Sequence, residues 1–269
     1  MRGVSAGTRD AVLAVVEDEV RGGADARELG DDLFAVVDVL DSAPSLRRML
    51  TNPSSANEAK EGLVGSLFTD KIGEPALKAL TTATAGRWNS ARDLAHALEA
   101  AGVEAHLTGA EQAGELEEAE DELFRFGRLV HGDPALRTVL SDRAMPVARK
   151  QELVSSLLEG KVRSSTLSLV GQAVAARQRP FELTLEDFVQ IAAGRRGQLV
   201  ATVRAACDID ETERSRLASA LQGIYGKAVH VNVIVEPALL GGATIEIGDE
   251  VIDSSVAGRL EHARRKMAG

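Results

Sequence analysis

The sequence predicts a mainly α protein: two related helical bundles followed by a small α/β C-terminal domain with a β-hairpin. Three observations carry this expectation. Apolar residues recur at helical spacing from Thr8 to Ala192, a 38-residue stretch is repeated 90 positions later, and the period switches to alternation after Gly197. The bounds that follow are 1–108 for the first bundle, 109–197 for the second with one helix open to sharing, and 198–269 for the α/β domain.

The first amphipathic helix spans Thr8 to Val20, with Leu13, Val16 and Val20 on one face, and Gly22-Gly23 ends it. A second carries Leu33, Val36, Val37 and Leu40. Pro44 opens a short segment ending near Leu50, and Ser55-x-x-Glu58 reads as a capping box for a helix through Leu63 and Leu67. Further helices run from Glu74 to Arg87 and from Ser90 onward.

Residues Asp31 to Phe68 align without a gap onto Asp121 to Leu158, with 12 of 38 positions identical. Chance would give about two or three in so alanine- and leucine-rich a chain, so the match is a duplication. It pairs Leu33-Phe34 with Leu123-Phe124, Pro44 with Pro134, Arg47 with Arg137, Leu50 with Leu140 and Lys60 with Lys150; Lys71/Lys161 and Arg87/Arg177 extend it. Matching apolar stripes must bury themselves in the same way, which makes each copy a bundle of about ninety residues. Under this offset the first helix pairs with Leu98 to Glu111, where the last helix of the first copy also falls.

Between the copies, Glu111 to Glu122 carries seven carboxylates and no base. An apolar seam of Leu116, Ala119, Leu123, Phe126 and Val130 continues beneath, so the acids read as a solvated face, with an acidic docking surface as the alternative. Thr184-x-x-Asp187 reads as a capping-box variant for a helix through Leu185, Phe188, Val189 and Ala192, and Gly194-Arg-Arg-Gly197 as the boundary of the next domain.

Beyond it, Leu199 to Ala205 alternates as a strand does. Asp210-x-x-Glu213 starts a helix with Leu217, Ala220, Leu221 and Ile224, Gly226 stops it, and Val229, Val231, Val233 and Val235 form a second strand. From Pro237 the chain enters Leu239-Leu240-Gly241-Gly242, a turn whose glycines supply positive φ. Ala243, Ile245 and Ile247 make a half-buried strand, Gly248-Asp249-Glu250 reverses the chain, and Val251-Ile252 returns. Asp253 is placed to N-cap a helix whose apolar face is Val256, Leu260, Ala263 and Met267.

No catalytic, cofactor-binding or metal-binding residue is expected. Tyr225-Gly226-Lys227 lacks the upstream glycine and the Ser or Thr of a phosphate-binding loop. His96, His106, His131, His230 and His262 show no ligand spacing and read as surface or strand residues. Cys207, the only cysteine, reads as a buried or half-buried inert thiol and points to a reducing compartment. The net charge of −10 argues against a nucleic-acid partner. No apolar run approaches the ~20 residues that cross a bilayer, and no secretory pattern opens the chain, so membrane association is expected only through partner proteins.

The string from Leu240-Gly-Gly through Ile245-x-Ile247-Gly-Asp-x-Val251-Ile252-Asp253-x-Ser255-Val256-x-x-x-Leu260 resembles the C-terminal signature of one family. That family is the delta subunit of the F-type ATP synthase, called the oligomycin-sensitivity-conferring protein in mitochondria. Leu136-Arg-x-x-Leu140 with Lys150 and Leu153, and the run from Val200 through Tyr225-Gly-Lys227 and Val235-x-Pro237, extend the resemblance from Glu122 to Gly269. The additional N-terminal copy departs from ordinary members and resembles the longer forms of actinobacteria. The resemblance implies a non-catalytic stator link without a cofactor, present once per complex on the cytoplasmic face of the cell membrane. Its expected partners are the alpha subunits of the catalytic head, gripped by the helical bundle, and subunit b of the peripheral stalk, held by the C-terminal domain. A helical adaptor of another assembly is the competing class.

Overall fold

The computed structural model describes residues 4–142, 144–175, 180–196, 199–207, 209–226, 229–236, 239, 241–247 and 250–253. Among them the protein is mainly α, with a small four-stranded sheet near the C-terminal end. The chain divides into two compact units, Met1–Phe188 and Val189–Gly269.

The helices are α1 (Val4–Arg21), α2 (Ala26–Ser42), α3 (Pro44–Thr51), α4 (Asn57–Phe68), α5 (Glu74–Ala85), α6 (Ala91–Gln112), α7 (Leu116–Gly132), α8 (Pro134–Ser141), α9 (Val147–Leu158), α10 (Ser164–Ala175) and α11 (Phe181–Arg195). Each of α2 to α5 begins and ends 90 residues before its counterpart among α7 to α10. The two sets are the first and second copies. The reason lies in the apolar positions: Leu33 and Leu123 are fully buried, and Leu40 and Val130, Leu50 and Leu140, and Val64 and Val154 are buried in step. Each leucine so enclosed stabilises its copy by about 1.5–3 kcal/mol. Positions 94–111 of α6 correspond to α1, while α6 also packs against α1, α2, α3 and α5. It also packs against α7 and α10, so one continuous helix closes the first copy and opens the second.

Local signals fix most helix ends. The Asp25 carboxylate accepts from the amides of Arg27 and Glu28, Ser90 from that of Arg92, and Asp133 from those of Ala135 and Leu136, satisfying donors that a helix N-terminus leaves free. Two expected capping boxes do not form. Helix α4 starts after Ala56 without a side-chain cap, because Pro53 and the Asx turn from Asn52 to the Ser54 amide carry the chain past Ser55. Thr184 lies inside α11, since Pro180 starts that helix earlier, and its hydroxyl donates to the Pro180 carbonyl.

In the second unit, β1 (Leu199–Ala205), α12 (Glu211–Tyr225), β2 (Val229–Val235), β3 (Ala243–Ile247) and β4 (Glu250–Asp253) follow in order. The sheet order is β2-β1-β3-β4: β1 pairs parallel with β2 and antiparallel with β3, and β4 is antiparallel to β3. A parallel neighbour needs a crossover, and α12 supplies it. Asp210 and Glu213 form a reciprocal capping box at its start, and Gly226 at φ 68° ends it. Leu221 of α12 packs with Ala201, Val203, Val231, Val233, Ile245 and Ile247 as the core of this unit. Gly241 and Gly242 have φ of 129° and 79°, the conformation expected of that turn.

Arg177, Gly197, Lys227, Pro237, the Gly248-Asp249 reversal, His262 and the helix expected from Asp253 to Met267 lie outside the described residues, except that the Asp253 backbone closes β4.

Candidate functional site

No group of three histidine, cysteine, aspartate or glutamate side chains is arranged to hold a metal among the described residues. Nor is any described helix long and apolar enough to cross a membrane.

At the joint between the copies α6 crosses α2 at close range. His106, 1% exposed, stacks on Phe34 with ring centroids 5.1 Å apart. Two glycines make the stack possible: a Cβ on Gly30 would lie 2.5 Å from the imidazole, and one on Gly102 would lie 2.6 Å from the Phe34 ring. The expectation that every histidine is a surface or strand residue thus fails at His106, where missing side chains on two neighbouring turns create a buried slot. Nε2 of His106 lies 3.1 Å from Oδ1 of Asp31. His106 and Ser168 of α10 hold the Asp31 carboxyl below its ordinary value, against the opposing effect of burial.

The acidic run is also less solvated than expected. Glu115 bridges Arg27 of α2 at 3.2 Å and Arg163, just before α10, at 3.0 Å. Glu122 accepts from the Arg163 amide and the Thr166 hydroxyl, and Glu120 is 1% exposed. The reason is geometric: α7 presents these positions to the neighbouring helices as well as to solvent, which a linear charge count does not register. Cys207 is another correction, being exposed because β1 ends at Ala205 and leaves the thiol in a bend beyond the sheet.

One exposed apolar position repeats with the copies. Val39 is 42% exposed and its counterpart Leu129 54%, while Met49 is exposed where the second copy has half-buried Val139. Among the described residues of the second unit, the exposed large apolar side chains are Ile224 at the end of α12 and Val251 on the edge strand β4. Beside them the Tyr225 hydroxyl donates to Glu250 at 2.6 Å, tying the helix end to that strand and raising the phenol above its ordinary value.

The family model for the ATP synthase delta (OSCP) subunit matches residues 103–267, beginning inside α6 and running through the second copy and the C-terminal unit. This chain belongs to that family. Proteins named ATP synthase subunit delta resemble it well beyond the matched region. That of Streptomyces avermitilis is 46% identical over 91% of this chain and 90% of its own. That of Thermobifida fusca is 42% identical over the whole of both chains, and that of Kineococcus radiotolerans 44% identical over 92% and 90%. The first copy, although it precedes the family model's match, is therefore shared with delta subunits of the same length.

The sequence singles out no catalytic or ligand-binding residue; it leaves one helix open to sharing between the copies, but it does not signal the side-chain contacts at that joint. Its groups are too far apart in the chain to signal one another: Arg27 and Glu115 are separated by 88 residues, Glu99 and Gln172 by 73. The one available hint was the glycine pair Gly30 and Gly102, which weakens two long helices without any turn to make.

Proposed function

We propose that this chain is the non-catalytic stator link of an F-type ATP synthase, holding the outer end of the peripheral stalk to the top of the catalytic head. The full-length similarity to the delta subunit of Thermobifida fusca carries this reading. In it, segments 1–108 and 109–197 act as two helical modules that grip N-terminal helices of the alpha subunits, and segment 198–269 holds the end of subunit b. The exposed apolar residues Val39, Leu129 and Met49, with half-buried Val139 at the position matching Met49, support helix-in-groove docking on the helical unit. Ile224 and Val251 offer a separate apolar edge for the stalk. Attachment to the cytoplasmic face of the membrane is then peripheral, through these partners.

Full-length variants test the division of labour. Replacing Leu129 and Val139 together with Asp removes apolar anchors, so binding to the catalytic head should weaken at least about tenfold while subunit b is retained. I224D with V251D should do the reverse. Loss of the head in the second variant, or of subunit b in the first, would show that the assignment is inverted.

A further inference from the structure

The sheet of the second unit guards one of its edges and not the other. Its order, β2-β1-β3-β4, puts β4 at one edge and β2 at the opposite one. Strand β4 is four residues long and carries a carboxylate at each end, Glu250 and Asp253. Short length and charge both keep an edge strand from pairing with another chain. Strand β2 has neither: its seven residues, Val229 to Val235, include no proline, lysine, arginine or carboxylate. Val229, Val231 and Val233 are buried in one core with Leu221 of α12, which holds the strand in place. Among the described residues no strand lies along its outer side, so its outward backbone groups form a ready template.

Two features of β2 indicate what pairs with it. The strand reads Val-His-Val-Asn-Val-Ile-Val, and its valines are placed symmetrically about Asn232. An antiparallel strand of the same sequence therefore sets Val229 against Val235, Val231 against Val233 and Asn232 against itself, with opposed residues on one face. A slip of one residue would set the valines against the residues between them and turn the two α12 helices to opposite faces. The second feature is Asn232 itself. It is 4% exposed, and its side chain makes no hydrogen bond among the described residues. Such an amide is costly to leave unpaired, and a side-chain amide both donates and accepts, so two of them can satisfy each other reciprocally.

We propose that two copies of this chain pair through β2, edge to edge and antiparallel, about a two-fold axis at Asn232. The two sheets then become one, the valine rows run on across the axis, and the Asn232 amides meet at its centre. The same patch serves both partners, as a closed two-fold interface requires. A single strand edge is a small contact, so the pair forms and parts readily. Strand β4 stays free at the far edge of each sheet. The stator reading uses one copy, so this pair belongs to the free subunit, and its test needs no other subunit.

The test uses the full-length protein in sedimentation equilibrium from about 5 to 500 μM, the range in which so small an interface dissociates. The average mass of the parent should rise with concentration from that of one chain towards that of two. Over the same range amide exchange should slow in β2 and stay unchanged in β4, a measurement that needs no variant. N232D opposes two carboxylates at the axis and N232K two ammonium groups, so each alone should associate at least about tenfold more weakly than the parent. Mixed in equal amounts they oppose unlike charges and should pair again. V251K, at the far edge, should associate as the parent does. The proposal is overturned if the parent keeps the mass of one chain throughout, or if concentration protects β4 rather than β2. It is equally overturned if N232D and N232K, with β1 amides as protected as in the parent, each associate like the parent or fail to pair when mixed.

Discussion

In the first copy Arg47 is buried against Asp41, their side chains 9% and 14% exposed. Ninety residues later Arg137 is half-buried, and the place of Asp41 is taken by exposed His131. The same contrast runs along both copies. Apolar positions and helix ends coincide, and so does a distant brace: Asp32 accepts from the Gly73 amide before α5, and Glu122 from the Arg163 amide before α10. Charged groups without a shared backbone duty have diverged. At the position of Asp25, which caps α2, the second copy has Glu115, whose carboxylate is instead spent on two arginines. Duplication thus preserved what shapes a bundle and let the remaining charged contacts diverge.

The sharpest way to break this comparison is at the arginines. Arg47→Ala would strand the Asp41 carboxylate in a nearly closed site and should cost about 3–5 kcal/mol. Arg137→Ala should cost about 1 kcal/mol or less, because its surroundings are wetter. Urea midpoints of the two variants decide it, and equal losses would mean that the copies are electrostatically alike after all. A smaller effect distinguishes the entries to the short helices. Asp133 caps α8 through two amides, whereas Ala43 leaves α3 without a side-chain cap. Asp133→Ala should therefore destabilise by about 1 kcal/mol. Ala43→Asp, which gives the first copy the missing cap, should stabilise by about 0.5–1 kcal/mol, measured as a rise in melting temperature.

The fold was legible where information is local. Helical spacing, the glycine stops and the 90-residue repeat place the helices within a few residues, and the capping box at Asp210 and Glu213 starts α12 where expected. The parallel pairing of β1 with β2 is implied by a helix between two strands, but the central position of β1 is not, because pairing partners are chosen by the whole sheet. The joint was least legible. His106 occupies a slot defined by the absence of side chains at Gly30 and Gly102, and Glu99 meets Gln172 only because one helix serves both copies. Such contacts depend on tertiary placement, which periodicity does not encode.

The finest difference concerns the paired lysines. Lys60 and Lys150 are 5% and 6% exposed, and each donates to a carbonyl in the last turn of a helix, where unpaired oxygens and the helix dipole favour a cation. Lys60 reaches the Thr84 carbonyl of α5, Lys150 the Leu140 carbonyl of α8. Burial pushes the Lys150 ammonium below its ordinary value, and Asp142 opposes that shift. The unfolded chain therefore holds this proton more tightly than the folded one. Stability should rise with pH from the folded value of Lys150 up to the ordinary value of 10.5, at which the penalty for the buried charge is gone. The first copy has Asn52 where the second has Asp142, and both side chains accept from the amide two residues on. Asp142→Asn thus keeps the turn and removes only the charge. Without that charge the ammonium is harder to retain, so the alkaline rise in stability should begin at lower pH, with a loss at neutral pH of about 0.5 kcal/mol or less. Denaturant midpoints of D142N and the parent from pH 7 to 10 measure this; superposable curves would show that the Asp142 field does not reach the buried ammonium.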